Sequence, residues 1–291
     1  MELTPFSPQI VETLRVLIAP GGRMRLSPFV DEAQIRVLFG EQVDPRSRFE
    51  STRRIINAHR EVITQIAREF VKFLENRRGY DWTRYYRNDL VRKSWLINNF
   101  PVNVCKVQMA LLELVLHGKL DGEINLVDIG IGAGNVPVAV IDFLVAWAAV
   151  CQLYGLELPV TRLSYCGYDV VEEWLQLTRE VVSAYLEVLD RRIAQAGDDA
   201  GHIYEFLTGF GDRLILEKLD LNAQVLEVQG GGKAIVFLCN VLSELDDQGK
   251  TNLMCLLDTL PQDSAAVIIE PGDEQRTRRL NDWRRGFLAS P

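Results

Sequence analysis

Asn125-Leu-Val-Asp-Ile-Gly-Ile-Gly-Ala-Gly-Asn-Val-Pro-Val-Ala-Val140 decides how the rest of the chain is read. An apolar run closes on Asp128 and predicts a buried strand. Gly130, Gly132 and Gly134 then alternate through a turn too tight for side chains, and Asn135 opens a helix. Asn135 is placed to cap that helix, and Pro137 is tolerated in its first turn, where amide hydrogens have no intrahelical partner. Glycines between a strand and a helix let backbone approach a ligand closely, so the turn predicts a nucleotide-like cofactor. Spacing excludes two common kinds. A dinucleotide turn carries glycine at relative positions one, three and six, and counting from Gly130 or Gly132 reaches Asn135 or Pro137 instead. The Gly249-Lys-Thr251 triplet has Glu244 where a phosphate loop needs glycine.

At 291 residues, 47% hydrophobic and 25% charged, the chain is long enough for one large or two modest domains and is not of disordered composition. Its net charge of −8 is unevenly spread. Residues 1–100 hold 17 Lys and Arg against 12 Asp and Glu, a balance of +5; the remainder holds 15 against 28, a balance of −13. We therefore expect a basic helical module over 1–100 joined to an acidic cofactor-binding domain over 101–291. The five cysteines include no Cys-x-x-Cys pair, and with three scattered histidines no metal-ligand spacing is visible. Reduced thiols in apolar runs and an amino terminus without a secretory pattern predict a cytoplasmic protein. Val136 to Cys151 is apolar but short for a bilayer and carries Asp142, so a buried helix and no membrane are expected.

Taken in order, Pro8 to Ile18 reads as a short amphipathic helix broken by Ala19-Pro-Gly-Gly22, and Asp31 to Phe39 as another. Ser51 to Asn76 reads as one long amphipathic helix capped by Ser51, with apolar residues recurring at three- and four-residue steps. Arg77 to Trp95 holds six basic and two acidic residues interleaved with Tyr80, Trp82, Tyr85, Tyr86 and Trp95. That mixture suits looped RNA, phosphates on guanidinium groups and bases on rings; it equally suits a helix whose aromatics pack inward. Asn98 to Cys105 reads as an entry loop, with Asn103 in a segment able to lid a cofactor, and a helix follows over Lys106 to His117. Strands are expected at Ile124–Ile129, Leu163–Asp169, Ile203–Thr208, Ala234–Leu238 and Ala265–Glu270. Helices are expected at Asn135–Tyr154 and Glu172–Gln195. Strands alternating with helices predict an α/β fold with a doubly wound, mostly parallel, Rossmann-like sheet, whose ligand lies at the carboxyl ends of the strands.

Asp128, Asp169, Asn240 and Glu270 fall at those ends. A carboxylate ending strand 2 can accept two hydrogen bonds from ribose hydroxyls, the role expected of Asp169. Asp212, read as following strand 3, is a candidate for the adenine amino group. Asn240 and Glu244, after strand 4, are candidates for the substrate side. Cys239 stands where a thiol nucleophile would be sought, but the neighbouring signature is missing and a buried structural thiol is the better reading.

An acidic residue followed by Gly130, Gly132 and Gly134 after a strand resembles motif I of the class I S-adenosylmethionine-dependent methyltransferases. With Val241-Leu-Ser-Glu-Leu245 and Ile269-Glu-Pro-Gly272, the chain resembles, over about residues 95 to 285, the methyltransferase-like family of small-ribosomal-subunit assembly in bacteria and mitochondria. The resemblance implies S-adenosylmethionine held by Asp128, Gly130, Gly132, Gly134, Asp169, Asp212 and Asn240, and contact with ribosomal RNA. Three functions follow as alternatives. One is a methyltransferase acting on or binding ribosomal RNA; another is a cofactor-binding assembly factor without turnover. The third is a small-molecule methyltransferase with a helical lid. The usual Asp/Asn-Pro-Pro-aromatic after strand 4 and the family's later cysteine-bearing region are both missing. The residues after Glu270 are also too few for the last two strands of a full class I sheet. A partner chain or a further segment beside Ala265–Glu270 is therefore expected.

Overall fold

The computed structural model describes residues 3–76, 86–196, 205–228, 233–242 and 244–270. Five strands form one all-parallel sheet in the order β3-β2-β1-β4-β5. They are β1 (Gly122–Ile129), β2 (Val160–Asp169), β3 (Leu214–Lys218), β4 (Lys233–Cys239) and β5 (Ala265–Ile269). From β1 the chain winds outward through β2 and β3, then returns to the other side of β1 for β4 and β5. The order therefore reverses between β1 and β4, where a doubly wound sheet opens a crevice.

The nine helices of at least ten residues among the described residues are numbered in chain order. They begin with α1 (Pro8–Ile18), α2 (Pro28–Phe39), α3 (Arg48–Ala58), α4 (Arg60–Asn76) and α5 (Asp89–Asn98). Then come α6 (Phe100–Leu116), α7 (Asn135–Leu153), α8 (Glu172–Ala196) and α9 (Asp247–Asp258). Strand side chains alternate between two apolar layers. Ile235 and Phe237 of β4 join a core with α6, α7 and α8, while Val236 and Leu238 join a second core with Leu253 and Leu256 of α9. A strand buried on both faces reads as a continuous apolar run, as Ala234 to Leu238 does.

The amino-terminal helices pack into the first of these cores. Ile10 and Leu14 of α1, Val30 of α2 and Leu96 of α5 join the cluster that covers the sheet, and Phe6 meets Trp147 edge-on at 5.6 Å. Buried Glu32 on α2 receives Arg191 at 3.0 Å and Arg192 at 2.7 Å from α8. Buried Asp142, in mid-α7, accepts from Ser27 (2.5 Å), Tyr185 (2.8 Å) and Gln108 (2.8 Å), one carboxylate joining four segments. Helix α7 is apolar and long enough to cross a membrane by length and composition, contrary to the expectation from Val136–Cys151. It is 78% buried inside the fold over its most apolar window and is a core helix.

Four local expectations are corrected. The long helix over Ser51–Asn76 is two, because His59 leaves helical geometry to stack on Phe39 at 4.7 Å and meet Glu41 at 3.0 Å. Ser51 is not its cap but lies inside α3, accepting from the Asp44 amide. Asn98–Cys105 is helical rather than a loop, with Asn99 the single residue between α5 and α6. The strand expected at Ile203–Thr208 is, from Glu205 onward, a short 3-10 turn, and β3 begins at Leu214. The Arg213 guanidinium fixes that arrangement by donating to the carbonyls of Leu163 (2.8 Å) and Thr208 (2.7 Å). Residues 77–85 and those after Glu270, which include the first half of the aromatic–basic segment and the stretch that follows β5, lie outside the described residues.

Candidate functional site

A cavity of about 760 Å³ opens where the strand order reverses, bounded by the segments leaving β1, β2, β3 and β4. Its size is that of a small-molecule site. Its floor is the glycine turn. Gly130 donates to the Tyr168 carbonyl at 2.8 Å, tying the turn to β2. With φ +70°, Gly130 is in the left-handed region, and a Cβ there would lie 2.2 Å from a Val241 methyl group. The turn after β1 and the turn after β4 are thus packed into each other, and only glycine permits it. Gly132, at φ +52°, would point a Cβ into open space, while its amide donates to Asp169 and its carbonyl accepts from Thr178 at 3.1 Å. Gly134 lies against Thr178 and is the N-cap of α7. Asn135 is the first helical residue and lines the cavity instead of capping, which corrects the sequence reading.

Asp169 sits beside this floor. Its carboxylate accepts from the amides of Val171 (2.9 Å) and Gly132 (3.3 Å), so it is oriented by the same loop it borders. Burial pushes its carboxyl up to about 6, against the pull of those amides. Asp128 is fully buried beneath the turn and does not line the cavity. It accepts from Tyr165 at 2.7 Å, and burial raises it to about 7. Its place is under the loop, not against a ligand. Asp212 is corrected more strongly. It precedes β3 and lines a separate groove with Arg213, Glu217 and Asn125, since Glu205 to Leu207 form a 3-10 turn and the strand follows at Leu214.

At the end of β4, Asn240 holds φ +63°, unusual for a residue with a Cβ. Its amide donates to the Ile269 carbonyl at 2.7 Å, and its buried side-chain Oδ1 has no partner among the described residues. Such an orphan acceptor in a cavity wall is what a ligand donor would satisfy. Glu270 accepts from the Leu242 amide at 2.8 Å, so the two stretches that carried the family resemblance are bonded to each other. Glu244 is exposed and lines the cavity. Burial raises the Cys239 thiol well above its ordinary range, which fits a structural thiol and disfavours a thiolate nucleophile.

The roof comes from α5 and α6. Asn99, Phe100 and Asn103 line the cavity, Asn103 as the sequence led us to expect. Tyr86 and Trp95 turn inward beside Trp174 of α8; from the Tyr86 ring, Trp95 lies at 5.9 Å and Trp174 at 5.4 Å. Arg92 donates to the carbonyls of Tyr86 and Arg87, and Lys93 pairs with Asp89 at 2.8 Å. The described part of the aromatic–basic segment is therefore packed on the domain. Sequence reasoning missed Lys218, which ends β3, and Asp220, just beyond it, both lining the cavity, because that strand was placed too early. No protein-family model matches the chain, and no curated protein matches it either.

Proposed function

We propose that the cavity holds S-adenosylmethionine and that the protein is a class I-type methyltransferase whose amino-terminal helices roof its active site. The observation that carries this is the charge of the lining. Among the described residues, Asp169, Asp220 and Glu244 are set against Lys218 alone, with no arginine. Such a wall repels a pyrophosphate and attracts a sulfonium. Gly132 fits the reading by lining the cavity without a side chain, Asp169 by offering a carboxylate for ribose, and Asn240 by an oxygen with no partner among the described residues. When bound, the cofactor supplies an electrophilic methyl group; the chain's own part is to position it, exclude water and take up a proton. Asn240 and Glu244 stand on the substrate side. Competition between labelled S-adenosylmethionine and NAD or ATP in equilibrium dialysis tests the assignment: displacement by the phosphate-bearing ligands would refute it.

One observation keeps the RNA reading as the second. Arg46, Arg53, Arg54 and Arg60 are exposed around α3 and have no carboxylate within 4 Å among the described residues. If RNA is the acceptor, its binding weakens steeply with salt and labelled methyl is transferred to ribosomal RNA. Cofactor binding with no transfer to any acceptor is the result an assembly factor gives.

A further inference from the structure

Resting on that reading of the cavity, we propose that Asn135, together with the amino-terminal end of α7, and Asn240 hold the amino-acid end of S-adenosylmethionine. Asn135 takes the carboxylate and Asn240 the ammonium, so the site selects a nucleoside that carries an amino acid.

Both side chains bring an unused polar atom to the cavity wall. Asn135 is 6% exposed and lines the cavity, and its Nδ2 has no hydrogen-bond partner among the described residues. Its neighbour is the Cys239 thiol, which burial raises and the Asn135 amide lowers. A sulfur is a weak acceptor, so the buried NH2 group still calls for a stronger one. Asn240 offers the complement, a buried Oδ1 that has no partner among the described residues. This donor and this acceptor stand on the two turns that Gly130 and Val241 lock together. The left-handed φ of +63° at Asn240 is backbone strain of the kind kept at ligand sites.

The backbone decides which charge goes where. Helix α7 starts behind Gly134, which brings no side chain to cap it, and its first turn holds no acidic residue. The first amides of a helix lack partners within it, and the partial positive charge there favours an anion. A carboxylate is therefore placed beside Asn135, whose Nδ2 adds a side-chain donor to those amides. From the edge of the substrate side, the Asn240 oxygen then receives the ammonium. A carboxylate and an ammonium on one carbon are the head group of an amino acid, and the methionine part of S-adenosylmethionine carries both.

Calorimetry on the whole protein tests this by binding alone. The probes are S-adenosylhomocysteine, its decarboxylated analogue, which keeps the ammonium, and methylthioadenosine, which has neither charge. All three are uncharged at sulfur. The wild type should bind S-adenosylhomocysteine at least about tenfold more tightly than methylthioadenosine. Asn135→Ala should weaken S-adenosylhomocysteine about tenfold and leave the other two within about twofold. Asn240→Gly, which keeps the left-handed backbone, should weaken S-adenosylhomocysteine and the amine analogue alike, about five- to tenfold, and spare methylthioadenosine. Equal binding of S-adenosylhomocysteine and methylthioadenosine by the wild type overturns the proposal. So do variants that weaken all three ligands together, or that leave S-adenosylhomocysteine unaffected. No binding of any of the three by the wild type overturns the reading beneath it.

Discussion

At the scale of single residues, Gly130 and Gly132 sit two apart in one turn and are required for different reasons. Gly130 makes room for Val241; Gly132 makes room for whatever enters the cavity. Gly132→Ala should cost about 1–2 kcal/mol for its left-handed backbone, leaving a folded protein that no longer binds cofactor. Gly130→Ala should lose both stability and binding, since its Cβ collides with Val241. Thermal unfolding and cofactor titration of the two variants check this; equal loss of stability in both would count against it. Asp128 gives a pH prediction. Its carboxyl is raised from 3.8 to about 7 when folded, so the folded chain holds that proton more tightly than the unfolded chain. Stability is then greatest on the acid side and falls as pH rises toward about 7. Asp169, raised to about 6, acts with the same sign at lower pH. Asp128→Asn should halve the decline between about pH 4 and 6, where Asp169 alone still acts, and be nearly level between pH 6 and 7, where the wild type still loses on the order of 1 kcal/mol. Parallel melting curves for variant and wild type across pH would contradict it.

At the scale of elements, period decided what could be read in advance. Strands β1, β2, β4 and β5 all begin and end within about three residues of their expected positions. Strand β3, Leu214-Ile-Leu-Glu-Lys218, is a short edge strand with no buried residue, and a rival apolar run stood about ten residues earlier. What separates them is Arg213 reaching the carbonyls of Leu163 and Thr208, a tertiary contact that no local pattern contains. The error then moved the candidate site residue from Asp220 to Asp212. The break at His59 is of the same kind, set by Phe39 from another helix. Asp142 shows how elements are held once formed. Asp142→Ala leaves Ser27, Gln108 and Tyr185 without their shared acceptor and should cost roughly 3 kcal/mol or more. Urea unfolding measures this, and a loss below about 1 kcal/mol would mean that the three donors find other partners.

At the scale of the molecule, the helices before residue 100 and the sheet after it share one apolar core, so the roof of the cavity is built from both halves of the chain. The charge division between those halves was legible in composition, and so was the position of the site at the strand ends. The inward turn of Tyr86 and Trp95 was not, because an aromatic–basic run has the same composition whether it faces solvent or packs on Trp174. Every functional step rests on the cavity accepting a sulfonium nucleoside between Gly132, Asp169 and Asn240. Titration calorimetry of S-adenosylmethionine into the wild type and into Asp169→Ala tests this most directly. The account predicts one binding site in the wild type and affinity lowered about tenfold or more in the variant, the loss of hydrogen bonds to a charged group. No binding by the wild type, or equal affinity in both proteins, would contradict it.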